Sequence, residues 1–236
     1  SETYVFAPKR IPYNDIIIYG HSGNISLEAI RWLMTHNVGV LILGWDGRLI
    51  TYMQPKNSVH VQTKFKQYQV YMKENQRLAL AKNFIEGKIV RSQEVLLWLQ
   101  DRYPDVQINL DNELFHFTQA STIQELHQTE ARIAKVYWEG VRKAIPDKYE
   151  FDSRQYMIRP MGAVDMVNVL LNYGYALLEA RCLKAIHAVG LDPYVGYLHE
   201  VLQGKQPLAY DMQEPFRFLI DLAVIDAIER KLFESP

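Results

Sequence analysis

Cysteine is nearly absent from this sequence. Cys182 stands alone in 236 residues, so no internal disulfide can form. A disulfide-stapled secreted domain is excluded, and with no charged-then-apolar leader ahead of the first strand-like segment the chain is expected to be cytoplasmic. Long apolar runs are missing too. The longest, "DIIIYG" and "VGVLILGW", are of strand length, well short of the roughly 18 to 20 residues a membrane-crossing helix needs, and no membrane partner is expected. Low-complexity tracts, internal repeats and heptads are likewise absent, which removes disordered, solenoid and coiled-coil classes.

Net charge is small as well, formally -1, while 48% of the residues are hydrophobic, enough for a sizeable core. The small net charge hides an uneven distribution. Lys56, Lys64, Lys66, Lys73, Arg77, Lys82, Lys88 and Arg91 are opposed only by Glu74 and Glu86, whereas Asp101, Asp105, Asp111, Glu113, Glu125 and Glu130 are opposed by Arg102 alone. A basic surface beside an acidic one suits a protein that holds phosphates near a cation, although solvated helix faces produce the same runs.

What is present divides the chain at about residue 55. Before it, "NDIIIYG", "VGVLILGW" and "RLITYMQ" are β-branched apolar runs, the last two joined across Asp46-Gly47, which takes the positive φ of a tight hairpin turn. Ser26 is placed to cap a short helix over "SLEAIRWLMTHN". After Pro55 the apolar spacing becomes helical. One or two helices are predicted from Lys64 to Leu99, with an interruption near Gly87, then a loop over 101–122 and a helix running to Pro146. A long helix ends at Gly190, "PYVGYLHEVL" reads as a short helix, and a last one carries Pro215 in its first turn. The predicted fold is α+β: a small β-rich N-terminal domain over 1–55, a linker over 56–63 and a larger all-α helical domain over 64–236.

The candidate chemistry lies in "GYLHEVLQGKQPLAYDMQEPFR". His199 precedes two acids, Asp211 and Glu214, whose three-residue spacing puts both carboxylates on one side of a helical turn. Two carboxylates and an imidazole suit Mg²⁺ or Mn²⁺. From these residues alone an ordinary alternative stays open, in which Asp211 caps the last helix, Glu214 favours its N-terminal end and His199 packs on an apolar face.

The wider pattern resembles the Cas1 family, the integrase that inserts new spacers into CRISPR arrays. The resemblance rests on "IIIYGHSGNISLEAIRWLMTHNVGVLILGWDGRLI", "QRLALAKNFIEGKIVRSQEVL", "TEARIAKVYWEGV", "DMVNVLLNYGYALLEARCLKAI", "GLDPYVGYLHE" and "PLAYDMQEPFRFLID", in the family's order. By matching position it implies Glu130, His199 and Glu214 as both metal ligands and catalytic residues, with Asp211 in support. Arg217, next to the acids, is expected to orient a carboxylate or meet a phosphate, a structural ion pair being the alternative. Ala131 stands where the family usually has glycine, and Glu214 where many members have aspartate. Lys82, Lys88 and Arg91 are expected near DNA phosphates; exposed solubilising side chains are the alternative. His187 and the remaining histidines read as ordinary surface or core residues.

The resemblance implies a Mg²⁺- or Mn²⁺-dependent DNA integrase and endonuclease. It would join the 3′-OH ends of spacer DNA to a CRISPR array by transesterification, acting on double-stranded and branched DNA. It also implies a homodimer, assembled through the N-terminal domain and around a Cas2 dimer. Two rival readings are a casposase-like integrase of a mobile element that acts without Cas2, and a catalytically silent DNA-binding scaffold.

Overall fold

The computed structural model describes residues 4–7, 10–20, 22–55, 61–106, 109–154 and 165–233. The N-terminal part holds β1 (Asp15–Tyr19), α1 (Leu27–Thr35), β2 (Gly39–Leu43) and β3 (Leu49–Met53). The sheet order is β1-β2-β3, with β1 parallel to β2, Ile17 opposite Leu41, and β3 antiparallel to β2. A parallel pair needs a crossover, and α1 supplies it. Ser26 caps α1 as expected, accepting from Ala29 N–H at 3.1 Å. The central strand is an almost unbroken buried apolar run, the pattern of a strand covered on both faces. The hairpin forms at Asp46-Gly47, where Gly47 has φ of 78°.

This sheet docks on the helical part. Arg181 pairs with Asp15 at 2.6 Å, and Tyr52 donates to the same carboxylate at 2.9 Å. Gly47 lies so close to the backbone of the long sixth helix that a Cβ there would stand 3.2 Å from Tyr173 N. Residues 56–60 of the expected linker fall outside the described residues, and 61–63 already belong to a helix.

The helical part comprises α2 (Val61–Tyr71), α3 (Glu74–Arg102), α4 (Asp111–Gln119), α5 (Ile123–Ala144), α6 (Met166–Ala188), α7 (Pro207–Gln213) and α8 (Arg217–Glu229). Its core is built on α3, whose buried residues Ala81, Ile85, Ile89, Ser92, Leu96 and Leu99 recur every three or four positions and so form one stripe. Facing it are Leu126, Ile133, Tyr137 and Val141 of α5, Leu171 of α6 and Ile225 of α8. Each fully buried aliphatic side chain there contributes about 1.5–3 kcal/mol. Among the described residues no helix is long and apolar enough to cross a membrane.

Four sequence expectations are corrected. The first helical stretch does not break at Gly87. It breaks at Met72–Lys73, where Lys73 is extended (φ -102°, ψ 103°), and α3 runs through Gly87. Gly87 serves a close approach instead, because a Cβ there would meet Pro215 at 3.1 Å. The expected loop over 101–122 contains α4, started by Asn109, which accepts from Asp111 N–H at 2.6 Å. "PYVGYLHEVL" is irregular, its backbone N–H groups being taken up by a side chain rather than by a helical ladder. Pro215 sits in a 3-10 turn (Glu214–Phe216) ahead of α8.

The end of α6 follows the expected glycine signal. Gly190 has φ of 77°, and Leu191 N–H donates to Ile186 C=O at 3.0 Å, closing the helix with a 6→1 bond. Beyond it the irregular segment is tied to α2 by the buried amide of Gln67. Its Nε2 donates to the carbonyls of Asp192 and Val195 at 2.9 and 2.8 Å, and its Oε1 accepts from Asp192 N–H at 2.7 Å.

Candidate active site

Four elements meet at the site. The irregular segment brings His199, α7 brings Asp211, the 3-10 turn brings Glu214, and α5 brings Glu130. Asp211 is fully buried and acts as the organiser. Its Oδ2 accepts from the backbone N–H groups of Tyr197 and Leu198, and its Oδ1 accepts from His199 N–H at 3.0 Å. The same Oδ1 lies 2.8 Å from His199 Nδ1. An ionised carboxylate only accepts, so Nδ1 carries the proton and Nε2 keeps its lone pair for an electrophile. The chain leaves helical geometry here because three consecutive N–H groups converge on one carboxylate. Charge-assisted bonds of this kind are worth about 1.5–3 kcal/mol each.

Glu130 and Glu214 are brought together by a cation of the protein itself. Lys88 Nζ lies 2.6 Å from Glu130 Oε1 and 2.7 Å from Glu214 Oε2. The Gly87–Pro215 contact delivers it, since α3 can approach the 3-10 turn closely only where no side chain intervenes. Burial pushes the Glu130 carboxyl up. The Lys88 ammonium and a hydrogen bond from His127 outweigh this and hold it well below the ordinary carboxylate range. Glu214 is more enclosed, its side chain only 3% exposed. Its Oε2 touches Lys88 as an ion pair but has no aligned hydrogen-bond donor among the described residues. Arg217 stands 3.4 Å from Glu214 Oε1, with its guanidinium 4.1 Å above the Tyr175 ring.

Beneath Arg217, the buried Asp221 accepts from Tyr137 OH at 2.7 Å and from Tyr175 OH, forming a polar floor. Burial and the Asp221 charge push both phenols well up, so they stay protonated and donate to the carboxylate. Beside Glu130, α5 opens onto a cavity of about 720 Å³ lined in part by Ala134, Trp138, Lys135, Arg142 and Arg154.

Two carboxylates, that of Glu214 almost fully enclosed, and one imidazole form a donor set that fits a hard divalent cation. In the present arrangement, no three His, Cys, Asp or Glu side chains among the described residues stand close enough to form a metal shell. The Lys88 ammonium bridges the two glutamates instead.

Residues 8–235 match the family model for CRISPR associated protein Cas1. The chain belongs to the Cas1 family. The CRISPR-associated endonuclease Cas1 1 of Archaeoglobus fulgidus is 32% identical over 222 residues, covering 86% of this chain and 64% of the relative. The CRISPR-associated endonuclease Cas1 3 of Thermus thermophilus is 29% identical over 91% of this chain and 62% of its own length. The Cas1 chain described here therefore spans less than two thirds of these relatives. Among solved structures, a casposase bound to integration product superposes with a TM-score of 0.94 at 50% identity, over 98% of this chain and 65% of that one. A Cas1 protein from Thermotoga maritima shares the fold, with a TM-score of 0.75 at 18% identity, covering 94% of this chain and 69% of its own. The expected α+β architecture is that of these neighbours.

Within this Cas1 chain the remaining basic candidates are dispersed. Arg91 is exposed, paired with Glu94 at 2.6 Å and 5.4 Å above the Phe218 ring. Lys82 is half-buried, about two and a half turns back along α3 from Arg91. Lys88, expected near DNA, is instead an internal ion-pair partner with its side chain 13% exposed. Sequence reasoning missed His127, read as an ordinary histidine. It lies three residues before Glu130 on the same face of α5, a spacing that could have flagged it. Its Nε2 is 3.1 Å from Leu198 C=O and its Nδ1 3.5 Å from Glu130 Oε2, and the Glu130 contact raises its pKa.

Proposed function

We propose that this Cas1 chain is the catalytic part of a divalent-metal-dependent DNA strand-transfer enzyme. The observation carrying this reading is the meeting of Glu130 and Glu214 on one Lys88 ammonium, beside His199 fixed with Nε2 free of Asp211. Glu130, His199 and Glu214 would hold the divalent cation, which would supply charge neutralisation at a phosphoryl oxygen and lower the pKa of the attacking or leaving oxygen. The protein's own groups do the rest. Asp211 holds the imidazole in one tautomer, and Arg217 offers a guanidinium to a non-bridging phosphate oxygen. Lys135, Arg142 and Arg154 around the neighbouring cavity suit a DNA backbone, which positions substrate without reading its sequence. The step is one transesterification: a DNA 3′-hydroxyl attacks a phosphodiester, the new P–O bond forms as the old one breaks, and the leaving 3′-oxygen takes a proton.

Two DNA ends joined to two strands call for two such sites, hence a symmetric homodimer. The exposed Tyr19, Trp45 and Ile50 on the N-terminal unit are apolar surface suited to that contact. Identity of 50% to a casposase against 32% to the Archaeoglobus Cas1 favours the casposase-like reading, integration without a Cas2 partner. Spacer integration with a Cas2 dimer in CRISPR adaptation is the second reading, supported by the curated Cas1 relatives. A strand-transfer assay with a 3′-OH oligonucleotide, plasmid target and Mn²⁺ tests the shared chemistry. Glu130→Gln, His199→Ala and Glu214→Gln are each expected to lose joining while retaining DNA binding, and turnover in all three would remove the site assignment. Joining without added Cas2 separates the two readings.

A further inference from the structure

We propose that Lys88 competes with the divalent cation for the Glu130 and Glu214 carboxylates, so that the ion enters by displacing this ammonium and Lys88 sets the metal affinity of the DNA-free protein. The proposal rests on the metal-dependent reading above and deepens it.

The geometry points to competition rather than to a bystander lysine. Contacts of 2.6 and 2.7 Å are direct, charge-assisted distances. One contact is to the buried Glu214 Oε2, whose charge partner is the Lys88 ammonium, an oxygen facing into the site and suited to an ion. Divalent cations approach carboxylate oxygens to roughly 2.0–2.2 Å. An ammonium and a dication gathered on the same two carboxylates repel strongly, because the exclusion of water leaves little screening. The protein positions Lys88 with care. Gly87, unfavourable in the interior of a 29-residue helix, is the residue that lets α3 reach Pro215, and Lys88 is its neighbour. The ammonium is a compact point charge on a flexible stem, able to withdraw along the rim without disturbing the helix. Two buried carboxylates without any counter-charge would be costly, and Lys88 supplies that charge.

The test is Mn²⁺ titration of the DNA-free chain, read by loss of the free-ion electron paramagnetic resonance signal, alongside melting curves with and without Mn²⁺. Wild type, Lys88→Met, Lys88→Arg and Glu214→Gln are compared. Lys88→Met is expected to bind Mn²⁺ at least tenfold more tightly than wild type and to gain more melting temperature from it. Lys88→Arg, which keeps the charge, is expected to bind no more tightly than wild type. Glu214→Gln is expected to lose binding. A Lys88→Met protein that folds only with Mn²⁺ also supports the proposal, the ion having replaced the ammonium. If wild type binds Mn²⁺ and Lys88→Met binds it equally or more weakly, the competition is overturned while the metal-dependent reading stands. A Lys88→Met protein that saturating Mn²⁺ cannot restore overturns it too. Absence of Mn²⁺ binding in both proteins overturns both readings.

Discussion

Asp211 holds His199 twice, once through the backbone N–H at 3.0 Å and once through ring Nδ1 at 2.8 Å. Main chain and side chain of the histidine are thus fixed by one buried carboxylate, which also takes the two preceding N–H groups. Asp211→Ala should therefore cost about 3–5 kcal/mol, the range for stripping a partner from a buried charged network. Urea unfolding measures this. The strand-transfer rate should fall further than the lost stability explains, because the ring is free to rotate. Asp211→Asn, which keeps one acceptor, should lie between.

Gly196 sits against this organiser. A Cβ there would stand 2.8 Å from Pro207 Cβ and 2.9 Å from Asp211 Oδ2, closer than real contacts allow. Gly196→Ala is expected to destabilise the fold by about 1–3 kcal/mol, as overpacking does, and to impair strand transfer. Gly204 gives the contrast. Its φ is 74° with open space around it, so Gly204→Ala should cost only about 1 kcal/mol of backbone strain and leave the rate intact. Equal rates for the two variants would show that the Gly196 contact is not transmitted to the site.

Glu179 gives a pH signature away from the site. Burial pushes its carboxyl up to about 7, with Lys205 and a Tyr210 hydrogen bond pulling only partly against it. The folded state then holds a proton that the unfolded chain releases near its ordinary value. That contribution is fully present below about pH 4.5 and is lost as pH rises through about 7. Glu179→Gln should flatten this decline, leaving the variant about 1–2 kcal/mol more stable than wild type at pH 8 after allowance for partial solvent access. Denaturant midpoints measured from pH 4.5 to 8 check it, and parallel wild-type and variant curves would reject it.

Local chemistry was legible in the sequence where one short stretch decided it. The Asp46-Gly47 turn, the Ser26 cap and the closure at Gly190 each depend on residues within a few positions. The α4 helix was missed because it is nine residues long, buries none of them fully, and is preceded by an Asn109 whose bond to Asp111 N–H reads as a turn. The segment around His199 was taken for a helix because its spacing is helical, while the competing Asp211 lies 12 residues away. Within the site, His199, Asp211 and Glu214 stood out by residue type and spacing, whereas Glu130 was named only through the family resemblance. The roles of Lys88 and His127 were not legible, since a lysine on a basic helix looks solvated until Glu130, 42 residues on, is seen beside it.

Gln67 has a mechanical consequence. Its amide spans α2 and the backbone at Asp192 and Val195 with three bonds of 2.7–2.9 Å, and Tyr68 adds a fourth tether to the Asp192 side chain at 2.6 Å. The first helix after the β-rich unit and the stretch leading into His199 are thereby yoked. Sliding α2 by more than the play of a hydrogen bond either ruptures the yoke or drags the imidazole's mooring with it. A pull on α2 would therefore reach the stretch leading into His199 through a glutamine outside the acid cluster.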